Sequence, residues 1–253
     1  MEQVTIIGTG WLGEPLAAGL VGSYDVTAGY RREELRQRLL GMGVNAVRID
    51  LPGTLPDLRS TRKLILTLPP GGRQYGAETT ERYLDMLRPL APWLPGMHVV
   101  YTSSTGVYGS RRGGRVTEET PVDPDTDSGR AVVAAEEWLG RTAGGCAILR
   151  MGGLYGPGRD PVRFFARAEA IPQADAPVNM LSLGAAIAAV RTLLDSGKTG
   201  IFNACSARHP SKRTFYGELY RAAGLDPKPF LPGGEGGKRI DSSKLRRLGW
   251  QNP

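Results

Sequence analysis

The most constraining feature of the chain stands at its start. A short β-branched run over residues 4–7 is stopped by Gly8, and helical apolar spacing at Leu12, Leu16 and Leu20 follows at once. That order predicts strand, tight turn and helix, and the pattern then repeats. Further strands are predicted over 25–28, 46–49, 63–68, 97–102 and 146–150, with helices over 33–40, 79–94 and 131–139 between them. In the 79–94 segment Tyr83, Met86, Leu87 and Leu90 share one helical stripe. Strands alternating with helices imply a parallel sheet covered on both faces.

The expected fold is therefore α/β: a Rossmann-like doubly wound parallel sheet over residues 1–155, followed by a smaller C-terminal substrate lobe over 156–253. A strand near 200–204 is available to complete the sheet. From Gly152 onward the texture changes to GGLYGPGRDP, PQADAPVN and PGGEGGKR, which are loops between short helices predicted over 161–170, 184–194 and 214–223. This lobe should pack over the strand C-termini, where ligands of open parallel sheets bind. No repeat period is visible, which argues against solenoids and propellers.

Composition narrows the ligand class. With 32 Lys and Arg against 25 Asp and Glu, the net charge of +7 suits anions: nucleic acid, a membrane surface or a phosphorylated small molecule. The basic residues are dispersed, and pairs such as Arg31-Arg32, Arg111-Arg112 and Arg246-Arg247 stand alone, so a small anionic ligand is favoured and nucleic acid and membrane are not expected. Cys146, Cys205, His98 and His209 match no zinc-ligand spacing, so reduced thiols and no metal are expected. The first residues carry no basic region followed by a long apolar one, and no run of 18 apolar residues occurs, so the expectation is a soluble, cytoplasmic protein.

Gly8-Thr9-Gly10-Trp11-Leu12-Gly13 fits the GxGxxG spacing between a strand and a helix. In the dinucleotide-binding reading Gly8 permits the tight turn, Gly10 lets a pyrophosphate approach the backbone, and Gly13 lets helix and strand pack closely. Trp11 and Leu12, between these glycines, belong to the same cofactor-binding turn, with the phosphates at the helix N-terminus. Purely structural glycines are the competing reading.

A free ribose 2′-hydroxyl calls for an acidic residue about 20 positions after the glycines, whereas here the second strand runs into Gly29-Tyr30-Arg31-Arg32. Two guanidiniums bind a 2′-phosphate, so NADP is favoured over NAD. Arg31 and Arg32 also suit the solvated first turn of a helix. Asp50, after the third strand, either accepts from the adenine amino group or begins a turn. Leu68-Pro69-Pro70-Gly71-Gly72 lies at the end of the fourth strand, where it lines the cofactor cleft or serves simply as a loop.

The fifth strand leads into Tyr101-Thr102-Ser103-Ser104-Thr105-Gly106-Val107-Tyr108-Gly109. SSTGVYG, the N-terminal GxGxxG, LRMGGLYGPGR at 149–159 and GKRIDSSKLRRLGW at 237–250 together resemble the extended short-chain dehydrogenase/reductase group, the NAD(P)-dependent sugar-nucleotide epimerases and dehydratases. The resemblance spans almost the whole chain. It implies a homodimer and a Tyr with a Lys four residues later as acid/base. It also implies a Ser or Thr that orients the substrate, which falls on Ser104, beside Ser103 in the cofactor cleft.

The Tyr and Lys positions, eight and four residues before Glu136, are Ser128 and Val132. Neither can do proton transfer at neutral pH. The chain thus resembles the atypical branch of the group, in which the tetrad is degraded. Tyr75, Tyr108 or Tyr155 could substitute from another loop, and Asp123, Asp125 and Asp127 could supply a carboxylate, although each also suits a structural role. Arg159, Arg163 and Arg167 have the spacing of one helical face. By the resemblance Arg239 matches a position that meets a nucleotide diphosphate. The stretch 179–185 lacks the His and Asp usual there.

Two functions follow. One is an epimerase- or dehydratase-like oxidoreductase acting on a small, phosphorylated or nucleotide-sugar-like metabolite through a non-standard acid/base. The other is a catalytically inactive NADP(H)-binding sensor or regulator.

Overall fold

The structure, a computed structural model, describes residues 1–251. Strand β1 (Gln3–Ile7) turns into helix α1 (Gly13–Leu20), then come β2 (Asp25–Tyr30), α2 (Glu33–Gly41), β3 (Asn45–Arg48) and β4 (Lys63–Leu66). A short helix α3 (Gly72–Tyr75) precedes α4 (Thr79–Leu87), β5 (His98–Ser104), β6 (Gly114–Val116), α5 (Asp127–Thr142) and β7 (Gly145–Met151). The remainder is β8 (Gly153–Tyr155), β9 (Met180–Ser182), α6 (Leu183–Ser196), β10 (Gly200–Ala204), α7 (Lys212–Ala222), β11 (Lys238–Ile240) and α8 (Ser243–Arg246).

Seven strands form one sheet in the order β10-β7-β5-β4-β1-β2-β3, every neighbouring pair parallel. The chain starts in the middle, winds to one edge through β2 and β3, and returns through β4 to the other. The crevice at the C-terminal ends of β1 and β4 is therefore the topological switch point. No helix among the described residues is long and apolar enough to cross a membrane.

Alternation along the strands fills two cores. Val4 and Ile6 of β1 face a cluster with α1 and α6, whereas Ile7 faces one with α4 and α5. The same split recurs in β5, where Val99 and Tyr101 lie on one side and Val100 on the other. Side chains of this size contribute about 1.5–3 kcal/mol each when fully buried. Helices α5, α6 and α7 begin at Thr126, Ser182 and Ser211, whose side-chain oxygens accept from the amides of Gly129, Ala185 and Thr214.

The predicted strand near 200–204 is β10, and it completes the sheet at one edge. Division at residue 155 needs refinement, because α6, Leu245 and Trp250 belong to the sheet's own core. The Trp250 Nε1–H donates to the Ala185 carbonyl and ties the chain end to α6. The small lobe has a core of its own around Ile171, Val178, Met180, Tyr216 and Tyr220.

Two predicted helices are shorter than expected. The 79–94 helix stops at Leu87 and tightens into a 3-10 turn at Arg88–Leu90, where Pro89 lacks the amide an α-helix needs. The 161–170 segment forms only a 3-10 turn, Pro161–Phe165. There the Lys228 ammonium takes the carbonyls of Ala166 and Ala168, and the Ile171 amide bonds to Pro229 rather than to its own helix.

Candidate cofactor and substrate cleft

A cleft of about 1320 Å³ opens at the switch point. Its floor is the β1–α1 turn, and each glycine there has a distinct role. Gly8 has φ +105°, and a Cβ on it would stand 2.7 Å from the Thr67 carbonyl carbon. A Cβ on Gly13 would stand 2.4 Å from the Gly8 carbonyl oxygen, so α1 reaches β1 only because this residue has no side chain. Gly10 has nothing within 4 Å of its missing Cβ, which leaves open space where a ligand would meet the backbone. No side chain caps α1 at Leu12; the Glu14 amide is taken by the Gly10 carbonyl at 3.0 Å and Pro15 has none to offer, so an anion here would meet the amides of the turn that precedes them. Among the described residues the one buried side-chain polar atom without a partner is Thr9 Oγ1, in this turn.

At the end of β2, Arg31 and Arg32 line the cleft. Neither forms an ion pair among the described residues, and the nearby Glu33 is taken by Arg36 at 2.8 Å and by Gln37 at 3.0 Å. Glu34 also lines this end. Asp50 does not line the cleft: it is exposed and exchanges backbone hydrogen bonds with Thr54, so it begins a turn. Leu68, Pro69 and Pro70 do line it, on the opposite wall.

The other end is built from the C-terminus of β5 and the start of α5. Ser104 lines the cleft, and its Oγ accepts from the Gly106 amide at 3.0 Å, which leaves its own O–H to donate. Ser103 also lines it but donates inward to Glu136. Glu136 and Arg150 form a buried pair at 2.6 Å with side chains 6% and 5% exposed, and Arg150 Nη1 donates to the Tyr108 hydroxyl at 3.0 Å. Tyr108 in turn donates to Asn203 Oδ1 at 2.8 Å. These contacts fix the β5 end from behind.

Ser128 packs directly on α3, where a Cβ on Gly72 would stand 2.2 Å from Ser128 Oγ. The backbone of α3 thus closes on the position that the resemblance assigns to the catalytic Tyr, and Val132 adds an apolar wall where Lys would stand. Of the three substitute tyrosines, Tyr75 alone lines the cleft. It is carried on α3, with the Arg82 guanidinium 5.0 Å from its ring centre. Tyr108 is committed to Arg150 and Asn203, and Tyr155 packs edge-on against Phe215. Tyr83 also lines the cleft, but its hydroxyl donates to the Leu68 carbonyl at 2.8 Å.

None of the three aspartates reaches the cleft. Asp125 accepts from Ser110, whose hydroxyl and amide hold its carboxyl below the ordinary range against the smaller upward pull of burial. Asp127 pairs with Arg130, and the Asp123 amide bonds to the Val107 carbonyl.

The C-terminal lobe contributes one charged side chain to the cleft, Arg159. The helical face expected of Arg159, Arg163 and Arg167 does not exist, because the segment is a turn and a 3-10 turn. Arg239 lies exposed on β11, outside the cleft. Asn179 joins β11 to the lobe, donating to the Lys238 carbonyl and accepting from the Ile240 amide, both at 2.9 Å.

Among curated proteins, Protein YeeZ of Escherichia coli, from strain K12 and from O157:H7 alike, is 35% identical to this chain over 270 aligned positions, covering 99% of this chain and 96% of the relative. The chain belongs to the YeeZ family. No family model matches it. Among solved structures, UDP-glucuronic acid 4-epimerase from Bacillus cereus in complex with NAD aligns with TM-score 0.78 and 16% identity, over 99% of this chain and 93% of that one. UDP-glucose 4-epimerase from Thermus thermophilus in complex with NAD gives 0.75 and 20%, over 99% and 94%. ADP-L-glycero-D-manno-heptose-6-epimerase from Helicobacter pylori gives 0.76 and 16%, over 100% and 91%. The fold is the Rossmann-like fold that these epimerase structures share.

Several lining residues of this YeeZ relative carry no local signal in the sequence. Arg38 grips Glu14 through two hydrogen bonds of 2.6 and 3.0 Å across 24 residues, and both line the cleft. Thr67, just past the end of β4, donates its hydroxyl to the Gly8 carbonyl and so props the glycine turn. Its place two residues before Pro69, at a strand end, was the available hint.

Proposed function

We propose that the cleft binds a nicotinamide dinucleotide, NADP(H) ahead of NAD(H), and that the protein is an epimerase- or dehydratase-like oxidoreductase acting on a hydroxyl or carbonyl of a small anionic metabolite. The observation that carries this is the β1–α1 turn at the switch point, where Gly8 and Gly13 are sterically required and Gly10 faces open space. Its amides would hold the diphosphate, and Arg31 and Arg32 a 2′-phosphate. When bound, the cofactor supplies the hydride donor or acceptor.

The chain's own residues then handle the proton. Ser104, fixed by the Gly106 amide, donates its O–H to the substrate oxygen. Tyr75 gives a proton to that oxygen when a carbonyl is reduced and takes one when an alcohol is oxidised. Val132 and Met151 line the wall with apolar surface that keeps water away.

Calorimetric titration of nucleotide-stripped protein with NADPH and NADH in parallel tests the reading. Tight NADPH binding with weak NADH binding is expected; binding of neither removes the reading altogether. A second reading, a catalytically inactive NADP(H) sensor, is favoured by the packing of Gly72 on Ser128. NADPH oxidation with small aldehydes and ketones separates the two: Tyr75→Phe lowers an enzyme's rate by about a hundredfold with NADPH affinity unchanged. A protein that binds NADPH and turns over none of these carbonyls is a sensor.

A further inference from the structure

The cleft holds two separate cation positions. Arg31 and Arg32 stand at the end of β2, and Arg159 reaches in from the opposite lobe, and none of the three has an ion-pair partner among the described residues. The remaining lining cation, Arg38, is occupied by Glu14. Arg159 sits on a tight turn in which its amide donates to the Gly156 carbonyl at 2.8 Å and its carbonyl accepts from the Gly156 amide at 3.2 Å. Its guanidinium lies over the indole of Trp11, 5.4 Å from the ring centre. Trp11 is itself anchored to the same turn, because its Nε1–H donates to the Pro157 carbonyl at 2.7 Å. A Cβ on Gly156 would stand 3.4 Å from the same indole.

Trp11 is a member of the glycine turn. The lobe therefore places an unpaired, preorganised guanidinium beside the turn in which Gly10 leaves the backbone open to a ligand. A ligand with two anionic centres, one at each cation position, matches this layout. A dinucleotide with a 2′-phosphate and a central diphosphate has that form.

We infer that Arg159 is a diphosphate-binding residue contributed by the C-terminal lobe, and that Trp11 holds it in place so that the lobe clamps the dinucleotide from above. The inference rests on the dinucleotide reading and adds to it the source of the second cation. Trp11 acts through Arg159 and is a positioning residue.

The test is equilibrium binding of two probes, NADPH and 2′-AMP, to wild-type protein and to Arg159→Gln and Arg159→Lys, at low and high salt. The nucleotide 2′-AMP keeps the group that Arg31 and Arg32 would meet and lacks the diphosphate. Arg159→Gln should weaken NADPH about tenfold, since a charge-assisted contact at an exposed site is worth on the order of one decade. Its 2′-AMP affinity should stay within about twofold of wild type, Arg159→Lys should fall between the two, and the salt dependence of NADPH binding should be shallower in Arg159→Gln.

Wild-type NADPH affinity in Arg159→Gln overturns the assignment and leaves the dinucleotide reading standing. An equal loss for 2′-AMP also overturns it, because the substitution would then be disturbing the whole cleft. Wild-type protein that binds neither probe overturns the dinucleotide reading and Arg159's role with it. Trp11→Phe keeps a ring but loses the bond to Pro157, and should reproduce part of the NADPH loss.

Discussion

The two ends of the cleft are built by different means. At the glycine turn the requirements fall on backbone: a left-handed φ at Gly8, a close approach at Gly13, open space at Gly10. At the start of α5 they would fall on side chains, and there a serine stands against α3 and a valine lines the wall. Backbone geometry is retained where the fold itself depends on it. Reactive side chains can be changed without unfolding anything, so a shared scaffold says little about chemistry.

The comparison can be broken most forcefully from behind the chemical end. Glu136→Ala leaves Arg150 buried without its partner, and urea unfolding should show a loss of about 3–5 kcal/mol. A loss below about 1 kcal/mol would mean that the pair does not hold the β5 end. Next is the turn itself. Gly13→Ala forces a Cβ against the Gly8 carbonyl, and it should cost about 1–3 kcal/mol of stability while weakening NADPH binding sharply; unaltered NADPH affinity would separate the turn from the ligand.

At the ribose end the expected effect is smaller and selective. Arg31→Glu should weaken NADPH about tenfold, or about 1.4 kcal/mol, and spare NADH, and unchanged selectivity in calorimetry would remove Arg31 from the site. Glu14 gives a modest acid-side effect. The Arg38 hydrogen bonds hold its carboxyl below the usual range, against the upward pull of burial. Its contribution is present above about pH 4.3 and is lost as pH falls through the lower folded value. Glu14→Gln should therefore show a slightly lower Tm at neutral pH that converges with wild type in acid; parallel curves would contradict this.

The smallest effect is the most telling. Installing Ser128→Tyr with Val132→Lys should produce no UDP-sugar epimerase, because a side chain larger than serine at 128 meets the backbone of α3 at Gly72. Brisk turnover of a UDP-sugar by the double variant would show that α3 yields easily. The two ends would then differ only in residue identity.

Much of this was legible in the chain's own order. Alternating periodicities placed the sheet, and the strand at 200–204 found its edge position. Gly8, Gly10, Trp11, Leu12, Arg31, Arg32, Leu68, Pro69, Pro70, Ser103 and Ser104 all line one cleft, while Gly13 packs behind it and Asp50 turns away. The 161–170 segment has helical spacing but forms only a 3-10 turn, because Lys228 and Pro229, about 60 residues on, compete for its backbone groups.

The sequence by itself determined what depends on near neighbours: strand and helix periods, and a turn that only glycine can make. Tertiary structure decided which of three tyrosines faces the cleft, that α3 closes on Ser128, and that Arg159 meets Trp11 across the two lobes. Those contacts join residues far apart in the chain, and no local spacing encodes them. They exist only once the sheet has wound and its loops compete for the same space at the ends of the strands.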